Sequence, residues 1–147
     1  MRKLLIIAAM CLVSTLAGCA SGPKFHTVES SLGAIPQGKA RIYFYRNTTM
    51  GAAVQPSIKL NGAVVGSAEP KGVFFVDRDP GDMEVSTSTE VERKLTFTMG
   101  PGETRYVRLK MHMGLLVGHV IPELVDEQEA KEDISGLAFT GNGGTSK

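Results

Sequence analysis

Turn-forming residues recur about every ten positions through the middle of the chain. They lie near residues 61, 71, 80, 90 and 101, and the segments between them are rich in β-branched and aromatic residues. Short segments with this spacing are typical of antiparallel β-sandwiches and small barrels. We therefore predict an all-β fold, a small antiparallel β-sandwich with a short C-terminal helix.

Residues 40–46 form the strongest predicted strand. Tyr43, Phe44 and Tyr45 place aromatic side chains on both of its faces, which is typical of a strand in the centre of a sheet. Farther along the chain, Asn61-Gly62 separates residues 57–60 from residues 63–66. Because both residues of this dipeptide tolerate positive φ, it predicts a two-residue hairpin.

The C-terminal part of the chain has a different chemistry. Residues 126–134 are polar and contain good helix formers, and Asp126 stands three positions before Glu129, as at a capped helix start. We therefore expect a short helix there. The Gly-rich residues 139–147 predict a disordered tail. The sandwich, of immunoglobulin-like or prealbumin-like type, is accordingly expected over residues 39–138.

The N-terminal segment carries the most specific motif. Two cations precede an apolar run over residues 4–16, which ends in Leu16-Ala17-Gly18-Cys19. The run is too short for a stable membrane span, and the segment resembles a bacterial lipoprotein signal peptide with its lipobox. We predict that residues 1–18 are removed, that Leu16, Ala17 and Gly18 are recognised by the signal peptidase, and that Cys19 is lipidated. The alternatives are an ordinary secretory signal with a chance cysteine and an uncleaved anchor helix.

The lipobox also predicts a location. Ala20 follows the cysteine, in place of the aspartate that favours inner-membrane retention in Gram-negative lipoproteins. The resemblance therefore implies a lipid anchor in the outer membrane, on its periplasmic face, if the host is Gram-negative. Residues 19–38 have the loop chemistry of a tether, within which Phe25, Val28 and Leu32 are candidates for docking on the domain.

Composition limits the remaining functions. The chain has 147 residues, and removal of residues 1–18 leaves 129, which suits one domain. A formal net charge of +1 gives no support to nucleic-acid binding. Cys11 lies in the apolar run and Cys19 is the lipidation site. We therefore expect no intramolecular disulfide and no catalytic thiol.

No motif in the sequence indicates catalysis, and we predict a protein that is not an enzyme and has no cofactor or metal. A run of acidic residues from 123 to 133 favours a solvated helix face, with a docking surface as the alternative. The spacing within three other groups of ionisable residues favours surface or boundary positions over a metal or catalytic site. These groups are His26, His112 and His119 for a metal, Asp77, Asp79 and Asp82 for calcium, and Glu90 with Glu92 for acid–base chemistry.

Two apolar, glycine-containing stretches, residues 49–54 and 113–117, flank predicted strands where loops are usually polar. We predict that they come together as an adaptable apolar contact surface. The alternative is that each stretch covers one open end of a small core. The side chains predicted for this interaction surface are Met50, Val54, Met113, Leu115, Leu116 and Val117.

The order of motifs over residues 38–126 resembles that of small bacterial lipoproteins carrying the domain of unknown function numbered 2846. The resemblance implies a small β-sandwich on a lipid anchor, and it carries over no activity and no site. The matching motifs are residues 38–46, Leu60-Asn61-Gly62, Asp79-Pro80-Gly81, residues 101–107 and Glu123-Leu124-Val125.

Together these features predict a lipid-anchored cell-envelope lipoprotein that is a structural or protein-interaction module, with an envelope protein as its partner. The second hypothesis is a binding module for a small or peptidoglycan-derived ligand, held by the loops at one end of the sandwich. A concave pocket with converging polar groups favours the ligand, whereas a flat apolar patch or a free strand edge favours a protein.

Overall fold

The computed structural model describes residues 19–89, 91–114 and 118–142. Within these ranges the chain forms nine strands, two α-helices and one 3-10 turn. In chain order they are α1 Phe25–Val28, the 3-10 turn Glu29–Ser31, β1 Ala40–Tyr45, β2 Ser57–Leu60, β3 Ala63–Ser67, β4 Gly72–Arg78, β5 Gly81–Ser88, β6 Glu92–Met99, β7 Thr104–His112, β8 His119–Val125, α2 Glu127–Ile134 and β9 Ala138–Asn142.

The strands form two sheets, which confirms the predicted all-β sandwich. One sheet has five strands in the order β8-β7-β1-β4-β9, and the other has four in the order β3-β2-β5-β6. Most pairs are antiparallel, but β1 pairs with β7, and β4 with β9, in parallel. The second parallel pair forms because α2 carries the chain across the five-stranded sheet from β8 to the opposite edge.

The main core lies between the two sheets. Every side chain of β1 is buried, and Ile42 and Phe44 point into this core from the centre of the five-stranded sheet. Phe44 stacks on Phe74 with ring centroids 5.3 Å apart. The four-stranded sheet contributes Ile58 and Val85, both fully buried. The prediction of a central strand for residues 40–46 is therefore confirmed.

A second apolar cluster covers the outer face of the five-stranded sheet. Tyr43 and Tyr45 of β1 point to this face, where Ile134 of α2 and Phe25 of α1 pack over them. Phe25 is 2% exposed and meets Tyr43 edge to face, with the ring centroids 5.7 Å apart. The aromatic residues on both faces of β1 thus serve two cores, one between the sheets and one beneath the helices.

The local turn and cap predictions are also confirmed. Asn61 and Gly62 have φ values of 48° and 83°, and they connect β2 to β3 in an antiparallel hairpin. Asp126 caps α2, because its carboxylate accepts the backbone N–H of Glu129 at 3.0 Å. In both cases residues adjacent in sequence determine the geometry.

Residues 19–38 differ from the predicted tether, because much of the segment is bonded to the domain. The Phe25 N–H donates to the Leu137 carbonyl at 2.8 Å, and Phe139 N–H donates to the Pro23 carbonyl at 2.8 Å. Lys24 forms an antiparallel bridge with Ala138. The segment therefore runs along the outer edge of β9, and burial of Phe25 holds it there.

The C-terminal boundary is also corrected. Residues 139–142, predicted as part of a disordered tail, belong to β9. Phe139 stacks against Phe75, with the ring centroids 6.1 Å apart, and the Ala138 N–H donates to the Lys71 carbonyl. Gly141, one of the glycines on which the tail prediction depended, has φ 110° and lies within β9. The domain extends at least to Asn142.

Candidate functional site

Cys19, the predicted lipidation site, is an exposed free cysteine at the first described position. The next residue is already bonded to the domain, since the Ala20 N–H donates to the Pro70 carbonyl at 2.9 Å. The Ala20 methyl group lies so close to Gly72 that a Cβ there would approach it to 2.8 Å. Cys19 therefore lies directly beside the turn that precedes β4. The predicted peptidase-recognition residues Leu16, Ala17 and Gly18 lie outside the described residues.

The β1–β2 loop, residues 46–56, carries two of the side chains predicted for an interaction surface. Met50 is 53% exposed. Val54, in contrast, packs partly buried against the core between the sheets. Val54 thus fits the alternative in which the loop covers an open end of the core, while Met50 remains available for contact.

Arg46 organises this loop. It has no solvent exposure, and its guanidinium donates hydrogen bonds to four backbone carbonyl oxygens. The partners are Val54 at 2.7 Å, Ala68 at 2.9 Å, Met50 at 2.5 Å and Gly51 at 2.9 Å. Within the described residues its Nε has no hydrogen-bond partner, and burial lowers the pKa of the guanidinium.

Arg46 was not predicted as a structural residue, because a cation at a strand end usually faces water. Its acceptors are main-chain carbonyls, which every residue carries, so the amino-acid sequence does not reveal them. The only available indication was its position directly after the aromatic strand and before an apolar loop. Hydrogen bonds to the charged guanidinium give the loop a fixed backbone that its own composition does not supply.

The second predicted apolar stretch, residues 113–117, begins after β7. The structure brings the residues on either side of it close to the first stretch, residues 49–54. Met111 is buried, and an added Cβ at Gly51 or Gly118 would lie 2.6 Å or 2.8 Å from its thioether. The β1–β2 loop and the β7–β8 connection therefore meet at one methionine side chain. Met113 is 76% exposed beside this contact, while the predicted Leu115, Leu116 and Val117 lie outside the described residues.

The acidic residues at the C-terminal end are partly turned toward the sheet. Arg108 donates to Glu123 at 2.6 Å, to Glu129 at 2.5 Å and to Asp133 at 3.2 Å. Burial lowers the pKa of Arg108, but the hydrogen bonds that it donates to Glu129 and Glu123 outweigh this effect and leave the pKa raised. Tyr45 also donates to Asp133 at 2.9 Å. This network fastens α2 to the five-stranded sheet.

The other ionisable candidates lie apart from one another. Asp77 accepts from Arg41 at 2.7 and 2.9 Å, Asp79 from Lys39 at 2.7 Å, and Asp82 from the Thr98 hydroxyl at 2.7 Å. The hydrogen bond to Asp77 outweighs burial and raises the pKa of Arg41. The three aspartates thus serve three separate structural contacts.

The three histidines do not gather at one site, because His26 lies away from the other two. His26 Nδ1 lies 2.8 Å from the Ser135 carbonyl oxygen, whereas His112 and His119 are register partners at the β7–β8 end. His119 Nδ1 lies 3.1 Å from the Thr89 hydroxyl. Across residues 19–89, 91–114 and 118–142, no group of three or more His, Cys, Asp or Glu side chains is placed to hold a metal ion. Glu90 of the Glu90–Glu92 pair lies outside these ranges.

A groove of about 500 Å³ crosses β5 and β6 near the β2–β3 hairpin. Asn61, Asp82, Thr96 and Thr98 supply polar groups, and Phe97 supplies an apolar wall. Several of these polar groups already bond to one another, as in the Thr98–Asp82 contact. The groove lies at the opposite end of the sandwich from Cys19.

Comparison with known proteins gives a family but no activity. A family model described as "Protein of unknown function (DUF2846)" matches residues 36–120. An uncharacterized protein of Haemophilus influenzae is 26% identical over 127 residues, which cover 83% of this chain and 76% of the relative. No solved structure matches the chain. None of the helices in the described part of the chain has the length and apolarity needed to cross a bilayer.

Proposed function

Because the chain belongs to the DUF2846 family, whose description names no activity, we propose its function from its residues and geometry. The protein is a lipid-anchored, non-enzymatic module of the cell envelope that works by contacting another envelope component. In a Gram-negative host it is held in the outer membrane on the periplasmic face.

The position of Cys19 carries this proposal. The cysteine ends a short apolar segment with a charged start, and its thiol is exposed. Its thiol accepts a diacylglyceryl group, and cleavage before Cys19 then frees the amine for further acylation. One acyl chain binds a bilayer only marginally, but two or three on one residue anchor it stably, at about 0.8 kcal/mol for each buried methylene group.

The partners of the ionisable side chains support a non-catalytic role. Arg41, Arg46 and Arg108 each bind carboxylates or carbonyls that join separate elements of the fold. These contacts hold the sandwich and its helices together. The loops near Cys19, in contrast, expose apolar side chains such as Met113, which is the property of a contact surface.

Metabolic labelling tests the anchor. Cells expressing the full chain are grown with labelled palmitate, and the N-terminal peptide of the purified protein is weighed by mass spectrometry. We expect label on a peptide that begins at Cys19, and complete loss of label in Cys19→Ala. The matched control is Cys11→Ala, which removes the other cysteine and leaves labelling unchanged. Label that survives Cys19→Ala contradicts the proposal.

Crosslinking in intact cells tests the contact. A photo-crosslinking residue at Met50 should capture an envelope component reproducibly, and the same residue at Lys59, on the outer face of the four-stranded sheet, should not. Equal capture at both positions, or none at either, argues against a contact surface near Cys19.

The groove over β5 and β6 favours a second function, the binding of a small or peptidoglycan-derived ligand. Its polar groups and Phe97 are the kind of lining that holds a sugar or peptide fragment. Soluble peptidoglycan fragments titrated into the isotope-labelled protein should then shift the amide signals of Asp82 and Thr96. A titration that leaves these signals in place removes this candidate.

A further inference from the structure

One end of the sandwich gathers the start of the mature chain and four connections. Ala20 is bonded to Pro70, beside the turn that leads into β4. The Arg46 N–H donates to the Gly72 carbonyl at 3.0 Å, and Lys71 Nζ donates to the Asn47 carbonyl at 2.6 Å. The β1–β2 loop therefore lies directly against the turn that holds Ala20, and Cys19 adjoins both.

The remaining connections reach the same end through the strand registers. Ile58, at the start of β2, pairs with Thr87 near the end of β5, so the β5–β6 connection with Val91 lies there too. Thr89 in that connection contacts His119 at the start of β8. We define the anchor end as Cys19, the β1–β2 loop, the turn 68–71, Thr89 and Val91 of the β5–β6 connection, and the described residues of the β7–β8 connection.

The anchor end carries most of the exposed apolar side chains. Five large apolar side chains in the described residues are substantially exposed, and three of them lie in its loops: Met50 at 53%, Val91 at 50% and Met113 at 76%. The other two, Val64 and Leu124, lie on edge strands away from these loops. Loops usually expose polar residues, so apolar side chains on three separate loops of one end indicate an apolar surrounding.

The proposed acyl chains on Cys19 identify this apolar surrounding as the lipid bilayer. Ala20 is bonded to the domain, so acyl chains on Cys19 bring the anchor end to the bilayer with almost no intervening tether. Apolar side chains at an interface enter the boundary between headgroups and acyl chains to about 5–10 Å. Methionine is suited to this role because its flexible thioether adapts to an irregular environment.

We propose that the anchor end rests on the membrane, with Met50, Val91 and Met113 in the lipid interface and the strands pointing away from the bilayer. This inference rests on the proposed lipid anchor and names the lipid surface as the component that the loops contact. The groove near Asn61 is then presented at the membrane-distal end.

The experiment uses the absence of tryptophan from the chain. Met113→Trp introduces a single tryptophan at the anchor end, and Leu124→Trp introduces one at an exposed control site. Leu124 lies five residues beyond the start of β8 at His119, about 17 Å along the strand. Each lipidated protein is purified from membranes and reconstituted into phosphatidylethanolamine–phosphatidylglycerol vesicles containing brominated phosphatidylcholine.

We expect the tryptophan at 113 to lose most of its emission to the brominated lipid and to shift to shorter wavelength. The tryptophan at 124 should keep its emission. If mass spectrometry shows acylated Cys19 and neither or both fluorophores are quenched, the membrane-facing orientation is wrong while the lipid anchor stands. An unacylated Cys19 in the purified protein overturns the anchor and this inference together. A protein captured by a photo-crosslinker at Met113, without quenching by lipid, assigns the surface to a protein instead.

Discussion

The guanidinium of Arg46 donates to the carbonyl oxygen of Ala68 at 2.9 Å, and this contact joins the two sheets. Arg46 follows β1 in the centre of the five-stranded sheet, whereas Ala68 follows β3 at the edge of the four-stranded sheet. The same side chain binds three carbonyls of the β1–β2 loop. One buried cation therefore closes one end of the sandwich.

Replacement of Arg46 by methionine, which is apolar and flexible but has no donor, should destabilise the domain by about 3 kcal/mol or more. Four carbonyls lose their partner, and each unsatisfied buried acceptor costs roughly 1–3 kcal/mol when water cannot reach it. Urea unfolding followed by circular dichroism measures the loss. Arg93→Met on the exposed part of β6 is the control and should change stability by less than about 0.5 kcal/mol. A similarly small effect at Arg46 contradicts the structural role.

Phe25→Ala should release the N-terminal segment while the sandwich stays folded. A buried Phe→Ala change costs about 3–5 kcal/mol, and a local loss of 1.4 kcal/mol already raises exchange of the affected amide about tenfold. The Phe139 N–H, which bonds to the Pro23 carbonyl, should therefore exchange at least tenfold faster by NMR. Ser30→Ala, at an exposed position of the 3-10 turn, should leave its rate unchanged. Equal acceleration of the Ile42 amide in Phe25→Ala means instead that the whole domain has been destabilised.

Asp126→Ala should cost about 1 kcal/mol, because it removes the side-chain acceptor at the start of α2. Asp126→Asn keeps an oxygen acceptor at that position and should recover most of the loss. Thermal unfolding of both variants beside the parent protein measures the difference. Equal Tm values for the alanine and asparagine variants would show that the cap contributes nothing.

The free energy of unfolding should decrease at alkaline pH, because Tyr45 and Tyr106 are buried and their hydroxyl groups ionise less readily in the folded protein. Burial, with a smaller contribution from Glu127, raises the pKa of Tyr106 to about 12. Burial and the hydrogen bond to Asp133 also raise the pKa of Tyr45. An unfolded tyrosine ionises near pH 10, so the stabilising contribution is complete below about pH 10 and is lost as pH rises toward about 12.

Tyr106→Phe removes one of these groups, so its unfolding free energy should decline less steeply across that pH range. Urea titrations at neutral pH and at several alkaline values give the slope for each variant. Parallel slopes for the parent protein and Tyr106→Phe would show that the phenol ionises equally in both states.

Features determined by neighbouring residues could be predicted from the sequence. The aromatic alternation of residues 40–46 indicated a central strand, Asn61-Gly62 indicated the hairpin, and Asp126 with Glu129 indicated the helix start. Each depends on side-chain spacing or turn chemistry within a few positions. Each is found in the structure.

Features that depend on distant partners could not be predicted in the same way. Ala138–Asn142 is short and contains a glycine, and it becomes a strand only because β4 pairs with it in parallel. Phe25 was a candidate for docking on the domain, but its pocket could not be identified, because it is built from Tyr43, Leu137 and Phe139, far along the chain. The four acceptors of Arg46 are main-chain atoms, and main-chain atoms carry no side-chain pattern.

The pairing of residues 22–25 with β9 also has a consequence for biogenesis. Pro23 and Phe25 bond to Phe139 and Leu137, so residues 23–25 acquire these partners only after residues 137–139 have been synthesised. If Cys19 is acylated as proposed, the order of synthesis leaves it accessible to the acylation enzymes before these contacts form, and completion of the fold then draws residues 23–25 against the sandwich.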